Sequence, residues 1–314
     1  MTYPTRREWL CGTAALLPLA FAKAKEKPAP IRLGFSLYGM KTLDLNEAIK
    51  TCGSIGYDGV ELVMMPGWPT DPKKLTAADR KELRGRLADA KLTLHGLMEN
   101  LSEPASEEVH KANLDRLKAA AALGHELSPS APPPIETVLG GKPAEWDKVK
   151  DRMAERLRAW AEVGRDAKTV IAVKPHVNNA LRTPEAALWL HKQVNSPWLK
   201  LAYDFSHYAV QGMSLAKTAE AILPETAFVH VKDVKGIPEK FEFLLPGTEG
   251  IDYVEYAKAL RKAKYRGPVV VEVSAQVFNK PGYDPVAAAK FCHAKLAPAF
   301  HKCKKEKSGR KSLF

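Results

Sequence analysis

The sequence has little cysteine and no long hydrophobic run. Four cysteines are spread over 314 residues, and Cys11 lies in an apolar stretch near the N-terminus. The other three, Cys52, Cys292 and Cys303, are too far apart for a disulfide framework or a zinc-ligand motif, so we expect buried or incidental thiols. The apolar stretch, residues 11–22, is too short to cross a bilayer, which takes about 20 residues. These absences argue against a disulfide scaffold and a membrane-spanning protein.

The N-terminus has the pattern of an export signal. Arg6 and Arg7 form a twin-arginine pair before the apolar stretch, and small residues follow near residues 20–24. The pattern predicts a twin-arginine signal peptide over residues 1–24 and a periplasmic or cell-envelope location. The alternative is an ordinary basic start that stays in the cytoplasm. Removal of the signal leaves enough chain for one (β/α)₈ barrel.

The positive charge is concentrated at the two ends of the chain. The formal net charge is +12, but residues 1–27 carry five Lys or Arg against two Glu, and residues 301–314 carry six against one. The body therefore carries only +4, which does not predict a nucleic-acid partner. Residues 301–314 are predicted to be a solvated basic tail, with contact to a polyanion or the cell envelope as the alternative.

Short apolar runs alternate with longer helical patterns from residue 30 onward. The predicted strands are 31–36, 59–63, 91–97, 134–139, 169–173, 199–203, 227–231 and 268–273. Helical patterns cover 43–55, 75–90, 106–123 and 143–166, and further helices begin near 183, 214, 252 and 284. Thr76 is expected to cap the second helix and Gly124 to stop the third. Eight strand-then-helix units without successive strands predict a single (β/α)₈ TIM barrel over residues 30–300.

Polar side chains gather where the predicted strands end. In a barrel of parallel strands these ends meet at the face that holds the active site. The residues concerned are Glu61, Glu99, Asn100, Lys174, His176, Asp204, His207, His230, Lys232, Asp233 and Glu272. Asp204, His230 and Glu272 would form a mixed oxygen and nitrogen site suited to Mn, Mg or Zn. Gly140 and Gly141 follow strand four, where they could cradle an anion or form a simple turn.

Five motifs together resemble the sugar phosphate isomerases/epimerases, which are xylose isomerase-like TIM barrels. They are GYDGVEL at 56–62, Asp204-x-x-His207, HVKD at 230–233, GTEGID at 247–252, and the strand of Glu272. The resemblance spans nearly all of residues 31–300. It implies one divalent ion held by a Glu, an Asp, a His and a Glu from strands five to eight. The last three match Asp204, His230 and Glu272, but Lys174 stands in place of the first glutamate.

The lysine at position 174 leaves two outcomes open. A protonated ammonium cannot ligate a metal and repels a nearby cation. Either the ion is held by three protein ligands, with His176 or water filling in, or Lys174 neutralises Asp204 and Glu272 and no metal is needed. A divalent cofactor is the expectation carried forward.

The resemblance implies an enzyme that removes a proton next to a sugar carbonyl. The family's epimerases use the glutamates of strands five and eight as an acid/base pair, and this chain keeps only the second. The expected catalytic residues are Glu272, Lys174 and His207, and the expected substrate-binding residues are Glu61, His176, Lys232 and Asp233. A small carbohydrate is the expected substrate. The function predicted is an exported carbohydrate isomerase or epimerase.

Three alternatives remain. One is a keto-sugar lyase or hydratase of the same fold, which begins with the same proton abstraction. Another is a sugar-binding relative without catalysis, in which Lys174 replaces the metal. The third is a nuclease, because endonuclease IV shares the barrel, but the chain lacks the His- and Glu-rich three-metal pattern of those enzymes.

Overall fold

The structure, a computed structural model, describes residues 30–301, and its centre is a closed barrel of eight parallel strands. The barrel strands are β1 (Leu33–Ser36), β2 (Gly59–Val63), β3 (Thr93–Met98), β4 (Ile135–Thr137), β5 (Ile171–Val173), β6 (Leu199–Asp204), β7 (Thr226–Val231) and β10 (Val269–Val271). Each strand pairs with its neighbour in chain order, and β10 closes the ring against β1. The predicted TIM barrel is confirmed. Its strands are nearly continuous apolar runs because both faces are covered.

Helices follow the barrel strands. They are α1 (Leu45–Ile55), α2 (Ala77–Asp89), α3 (Glu107–Leu127), α4 (Trp146–Ala167), α5 (Pro184–Val194), α6 (Ser206–Ala209), α7 (Leu215–Ile222), α8 (Tyr253–Lys262), α9 (Ala275–Phe278) and α10 (Pro285–Phe300). Thr76 caps α2 as expected, and a reciprocal bond from its backbone N–H to Asp79 completes a capping box. Asp44 and Asp252 cap α1 and α8 in the same way, through side-chain oxygens that accept first-turn N–H groups.

Two expectations about local structure are wrong. Helix α3 runs through Gly124 to Leu127, because this glycine serves close packing: a Cβ on it would lie 3.0 Å from Leu97 Cδ1. Successive strands also occur. After β7 the chain forms an antiparallel hairpin, β8 (Asp233–Ile237) and β9 (Lys240–Leu244), before α8. Gly236, within β8 and opposite Phe241, has φ 103°, a backbone conformation that glycine adopts readily.

The signal peptide predicted over 1–24, and the predicted tail beyond residue 301, lie outside the described residues.

Cys52 and Cys292 are buried free thiols, as expected. Between residues 30 and 301, the structure contains no helix with the length and apolar character needed to cross a membrane. Gly140 and Gly141, both with positive φ, form the turn between β4 and α4.

Candidate active site

Charged side chains from six barrel strands converge at the carboxyl end of the barrel, which we call the mouth. Four are acids that are buried or nearly so: Glu61 in β2, Glu136 in β4, Asp204 at the end of β6, and Glu272 after β10. Three are basic: Lys174 after β5, His230 in β7, and Lys232 after β7. Strand pairing sets Asp204 beside His230 on neighbouring strands. Burial of so many ionisable groups is stable only when they are paired, and their contacts show that they are.

Glu272 is the centre of the cluster. Its Oε2 atom lies 3.0 Å from Lys174 Nζ and 2.7 Å from Lys232 Nζ, both of which donate hydrogen bonds to it. His230 Nδ1 lies 3.1 Å from the same oxygen. Burial by itself would raise the pKa of Glu272, but the positive charges of Lys174, Lys232 and His230 outweigh it and hold the pKa well below its usual value. Glu272 is therefore a carboxylate.

Lys174 binds two acids from opposite sides of the barrel. Besides Glu272, its Nζ contacts Glu136 Oε1 at 3.1 Å and His230 Nδ1 at 3.0 Å. Burial favours the neutral amine, but the charges of Glu136, Glu272 and Asp204 dominate and raise the pKa of Lys174. The pKa of Glu136 is raised as well, by burial first, although the charges of Lys174 and His230 oppose that rise. Lys174 is thus a fixed cation in the mouth.

Asp204 is bound by Lys232. Lys232 Nζ donates a short hydrogen bond to Asp204 Oδ2, while Oδ1 accepts hydrogen bonds from Ser206 N at 3.1 Å and Ser206 Oγ at 2.7 Å. His207 Nε2 lies 3.4 Å from Oδ2 and 3.3 Å from Lys232 Nζ. In the alternative without a metal, Lys174 was to neutralise Asp204 and Glu272. Lys174 does contact Glu272, but the direct partner of Asp204 is Lys232.

His230 is held between carboxylates. Its Nε2 lies 2.9 Å from Glu61 Oε2, deeper in the barrel. Burial is the largest single influence and disfavours the imidazolium, but the charges of Glu61 and Glu272, with the hydrogen bond to Glu272, together outweigh burial and the repulsion of Lys174 and raise the pKa of His230 to about 9. Glu61 is fully buried and its Oε1 has no hydrogen-bond partner among the described residues. His230 and Glu61 form a fixed ion pair beneath the lysines.

The two other histidines of the mouth are neutral. Burial, followed by the charge of Lys232, lowers the pKa of His176 to about 3. Burial also lowers the pKa of His207 well below its usual value, with His176 and Lys232 next in size. Their rings lie 4.1 Å apart, and Asn178 N donates to His176 Nδ1 at 3.2 Å. At neutral pH both rings present uncharged nitrogens.

A cavity of about 150 Å³ opens above this cluster. The polar groups that line it are Tyr38, Glu99, Asn100, Glu136, Lys174, His176, Lys232, Glu272 and Ser274. Phe243 of strand β9 closes one side, with its ring 4.7 Å from Lys232 Nζ. Tyr38 stands opposite, between Trp68 at 5.2 Å and Phe278 at 4.9 Å. The space equals the share of about five liquid waters, enough for part of a small polyol.

Two groups of side chains have the composition of a metal site. They are Glu61, Glu136 and His230, and Asp204, His230 and Glu272, whose ligand atoms lie within 4.8 Å of one another in each group. The second group is the predicted ligand set. However, Lys174 and Lys232 already bind its carboxylates, and an ion among them would lie next to two ammonium groups. Coulomb repulsion at that range opposes a dication, so the residues do not fit one while both lysines stay charged and in place.

Comparison with known proteins identifies the family. A sequence profile described as xylose isomerase-like TIM barrel matches residues 49–291. The chain belongs to that family. The predicted likeness to sugar phosphate isomerases/epimerases is thereby confirmed, and sugar epimerases stand among the relatives.

The individual relatives of this xylose isomerase-like barrel are distant. L-ribulose-5-phosphate 3-epimerase UlaE of Shigella flexneri is 22% identical over 153 residues, 49% of this chain and 53% of the relative. The chain thus spans about half the length of the curated relatives it matches. The 3-keto-D-glucoside 4-epimerase YcjR of E. coli superposes with a TM-score of 0.67 at 17% identity, over 85% of this chain and 99% of that one. The IOLI protein, solved with a zinc atom, superposes with a TM-score of 0.72 at 16% identity, over 87% and 100%.

The structure places the predicted site residues in three positions relative to the cavity. Lys174, His176, Lys232 and Glu272 line the cavity. Asp204, His207, His230 and Glu61 lie buried behind or beneath it. Asp233 lies apart: its carboxylate accepts hydrogen bonds from Gly247 N at 3.1 Å, Glu249 N at 2.8 Å and Tyr253 Oη at 2.7 Å. Asp233 therefore supports the loop that carries the GTEGID motif.

The sequence prediction missed Glu136 and Tyr38. Glu136 interrupts the apolar strand four, and a charged residue inside a barrel strand is a signal that its side chain faces the barrel interior. Tyr38 follows strand one in a short 3₁₀ helix, Leu37–Met40, and no pattern in the sequence distinguishes it from a core aromatic. Burial, followed by the charge of Glu272, raises the pKa of Tyr38. Its phenol therefore keeps its proton in the cavity.

Proposed function

We propose that this chain is a carbohydrate isomerase or epimerase that removes a proton next to a sugar carbonyl, with Lys174 and Lys232 supplying the positive charge at the reacting oxygen. One observation carries the proposal: a carboxylate and two ammonium groups line one small cavity at the barrel mouth. The sugar epimerases among the relatives support the substrate class.

The chemistry follows from where charge develops. Removal of a proton next to a carbonyl places negative charge on the carbonyl oxygen, and fixed cations near that oxygen stabilise the transition state. Lys174 and Lys232 are such cations, held by Glu272 at 3.0 and 2.7 Å. An ammonium that turns toward the substrate oxygen weakens its bond to Glu272. The same movement therefore raises the basicity of Glu272, the proposed base.

Two side chains in the cavity wall are candidates for returning the proton to the substrate. Tyr38 is a protonated phenol and His176 a neutral imidazole, and both line the cavity. His207 lies behind Lys232 and outside the lining residues, so we assign it to holding Lys232 in place. A lyase or hydratase would use the same first step and then expel a leaving group, so the product distinguishes it from an isomerase.

Hydrogen exchange in D₂O tests the function directly. The protein is incubated with L-ribulose, L-ribulose 5-phosphate and a 3-keto-D-glucoside, with EDTA or with added Mn, Mg or Zn, and the sugars are followed by NMR. We expect deuterium at the carbon next to the carbonyl, unaffected by EDTA and lost in Glu272→Gln. Glu225→Gln, a half-buried glutamate after α7 and remote from the mouth, is the matched control. Exchange that requires a metal would contradict the role given to the lysines.

A sugar-binding protein is the second candidate, favoured by one observation. The same cations that hold Glu272 ionised also make it a weak base. In that case sugars would bind saturably in calorimetry while no deuterium enters any of them. Elimination would appear in the same NMR spectra as a dehydrated product.

Lysine 174 offers a separate test of the metal question. Lys174→Glu would place a fourth ligand beside Asp204, His230 and Glu272 and remove one cation. We expect the variant to bind Zn²⁺ in calorimetry much more tightly than the parent. Lys174→Gln, which removes the charge without adding a ligand, is the control. Tight zinc binding by the parent protein would overturn the metal-free assignment.

We further propose that the chain is exported, on the strength of the Arg6 and Arg7 pattern. Expression of the full chain and of the pair Arg6→Lys and Arg7→Lys, followed by fractionation, tests this. The parent should appear in the periplasm and the variant should not.

A further inference from the structure

The cavity at the mouth has more acids than cations in its wall. The charged side chains that line it are Lys174, Lys232, Glu99, Glu136 and Glu272. His176 also lines it and is neutral, because burial lowers its pKa to about 3. Within residues 30–301, the acids of the lining therefore outnumber its cations by three to two. This excess of acid limits the kind of sugar that the cavity accepts.

Both lysines of the lining are already bound by carboxylates. Lys174 Nζ contacts Glu136 at 3.1 Å and Glu272 at 3.0 Å. Lys232 Nζ contacts Glu272 at 2.7 Å and forms a short ion pair with Asp204. In the proposed reaction the same two ammonium groups stabilise the charge on the reacting oxygen. No cation in the described lining is then left for a second anionic group of the substrate.

Glu99 and Glu136 stand together on the wall opposite Glu272. The backbone N–H of Glu99 donates to the carbonyl oxygen of Glu136 at 2.7 Å, which joins the end of β3 to β4. Strand β4 is four strands away from β10 in either direction around the barrel, and Glu272 follows β10. A sugar whose carbonyl lies at Glu272 therefore extends its far end toward Glu99 and Glu136.

The carboxyl groups of Glu99 and Glu136 can accept further hydrogen bonds. A carboxylate offers about four acceptor positions. Glu99 is bound by Arg116, which reaches it from α3 and does not line the cavity, and Glu136 contacts Lys174. Burial raises the pKa of both glutamates, and the charges of Arg116 and Lys174 oppose that rise. Neither glutamate brings positive charge to this wall.

We propose that the cavity selects an unphosphorylated sugar, whose hydroxyl groups remote from the carbonyl donate hydrogen bonds to Glu99 and Glu136. A hydroxyl both donates and accepts, whereas a phosphate dianion only accepts. A phosphate at this wall would lie among carboxylates, and like charges brought together strongly oppose binding. Asn100 and Ser274, which also line the cavity, suit further hydroxyls. The selection rests on the proposed sugar reaction, which sets the carbonyl at Glu272.

Matched pairs of sugars test the selection in the parent protein. Deuterium exchange in D₂O is measured for L-ribulose and L-ribulose 5-phosphate, and for D-fructose and D-fructose 6-phosphate, and all four are titrated by calorimetry. We expect kcat/KM for the free sugar that exchanges to exceed that of its phosphate by at least about a hundredfold. Inorganic phosphate should not inhibit the exchange.

Glu99→Gln tests the acidic wall itself. The change removes one negative charge and releases Arg116 from its carboxylate, so the Kd of the phosphorylated sugar should fall about tenfold. The Kd of the free sugar should rise, because the amide is a weaker acceptor than the carboxylate. A general loss of structure does not move the two values in opposite directions. Glu103→Gln is the matched control, since Glu103 pairs with Arg152 away from the cavity lining, and it should change neither Kd.

Failure of the selection and failure of the proposed reaction give different results. Exchange that favours a phosphorylated sugar would refute the selection and leave the proton abstraction intact. If no sugar exchanges, the proposed reaction fails and calorimetry decides the selection. Saturable binding of a free sugar alone supports it, and binding of the phosphate, or of none of the four, refutes it. Equal changes in Kd for both members of a pair in Glu99→Gln would show that Glu99 has only a structural role.

Discussion

The two ends of the barrel bury their ionisable groups in different ways. At the mouth every cation has a carboxylate: Lys174 has Glu136 and Glu272, and Lys232 has Asp204 and Glu272. At the opposite end, which we call the floor, the buried ring of His95 has no hydrogen-bond partner for either nitrogen among the described residues. The mouth is thus internally compensated before any substrate binds, whereas the floor holds a polar ring that burial keeps neutral.

The two ends also respond oppositely to pH. At the mouth, burial acts to lower the pKa of His230, but Glu61 and Glu272 together outweigh it and raise the pKa to about 9. At the floor, burial, followed by the charge of Arg32, lowers the pKa of His95 to about 4. A raised pKa contributes stability that disappears as pH rises, and a lowered one contributes stability that disappears as pH falls. Raising the pH therefore tests the ion pairs of the mouth, and lowering it tests the neutral imidazole of the floor.

Removal of Lys174 should have the largest effect. Lys174→Met leaves Glu136 and part of Glu272 as buried, uncompensated charge, so the free energy of unfolding should fall by about 3–5 kcal/mol. Urea unfolding measures this. Lys235→Met, on the exposed hairpin and paired with Glu242 at 3.1 Å, should leave the free energy of unfolding almost unchanged, because water screens the pair. If Glu136→Gln fails to restore part of the lost stability in the Lys174→Met background, the ion-pair account of the mouth is wrong.

Raising the pH should weaken the mouth. The stability from His230 is fully present below the ordinary pKa of 6.5 and is lost as pH rises through about 9, a change on the order of 3 kcal/mol. Glu61→Gln removes the largest cause of the raised pKa, so its unfolding free energy should vary less over this interval. Parallel pH slopes for the parent and Glu61→Gln would show that the pair does not act as described.

Lowering the pH should weaken the floor. Stability from the neutral His95 is present above pH 6.5 and is lost as pH falls through about 4, because the unfolded chain binds the proton first. The change is of the same order as for His230. In His95→Gln, the free energy of unfolding measured with urea should fall less steeply as the pH is lowered. The remaining decrease is due to His176 and His207.

Substitution of Gly34 should have the smallest effect. Gly34→Ala forces its Cβ against His95 Nδ1, 2.4 Å away, and overpacking of this kind costs about 1–3 kcal/mol. His95→Ala should relieve most of the cost in a double-mutant cycle. Gly85→Ala on α2, where a Cβ meets nothing within 4 Å, should instead stabilise by about 0.5–1 kcal/mol. Additive effects of Gly34→Ala and His95→Ala would mean that the ring lies elsewhere.

Much of the mouth was predictable from strand ends. Asp204, Lys174, Lys232 and Glu272 all stand where an apolar run gives way to polar residues, and the barrel brings such ends together. The contact of Lys174 with Glu272 was one of the two outcomes left open by the sequence. The contacts of Lys232 with Asp204 and of Lys174 with Glu136 were not anticipated, because they join residues that are far apart in the chain. Glu136 was missed because it lies within a strand. The β8–β9 hairpin was missed because its strands have only five residues each and alternate polar with apolar side chains, unlike the apolar runs of the barrel strands.

The floor was not predicted at all. His95 resembles any lone histidine in an apolar strand, and Gly34 and Gly59 resemble ordinary strand glycines. The strand register reveals the arrangement. The pairing of β1 with β2 sets Gly34 beside Gly59, and the pairing of β2 with β3 brings His95 next to them. The absence of side chains on the two glycines makes room for the ring.

The sequence by itself determined the eight strand-and-helix units, the capping of helices such as α2, and the presence of lysine at position 174. These depend on periodicity and on contacts a few residues apart. The tertiary structure alone decided that Lys232 binds Asp204, that Lys174 joins Glu136 to Glu272, and that His95 lies unpartnered in the floor. Those pairings depend on strand register around a closed barrel, where one residue of slip turns a side chain from the interior to the outside.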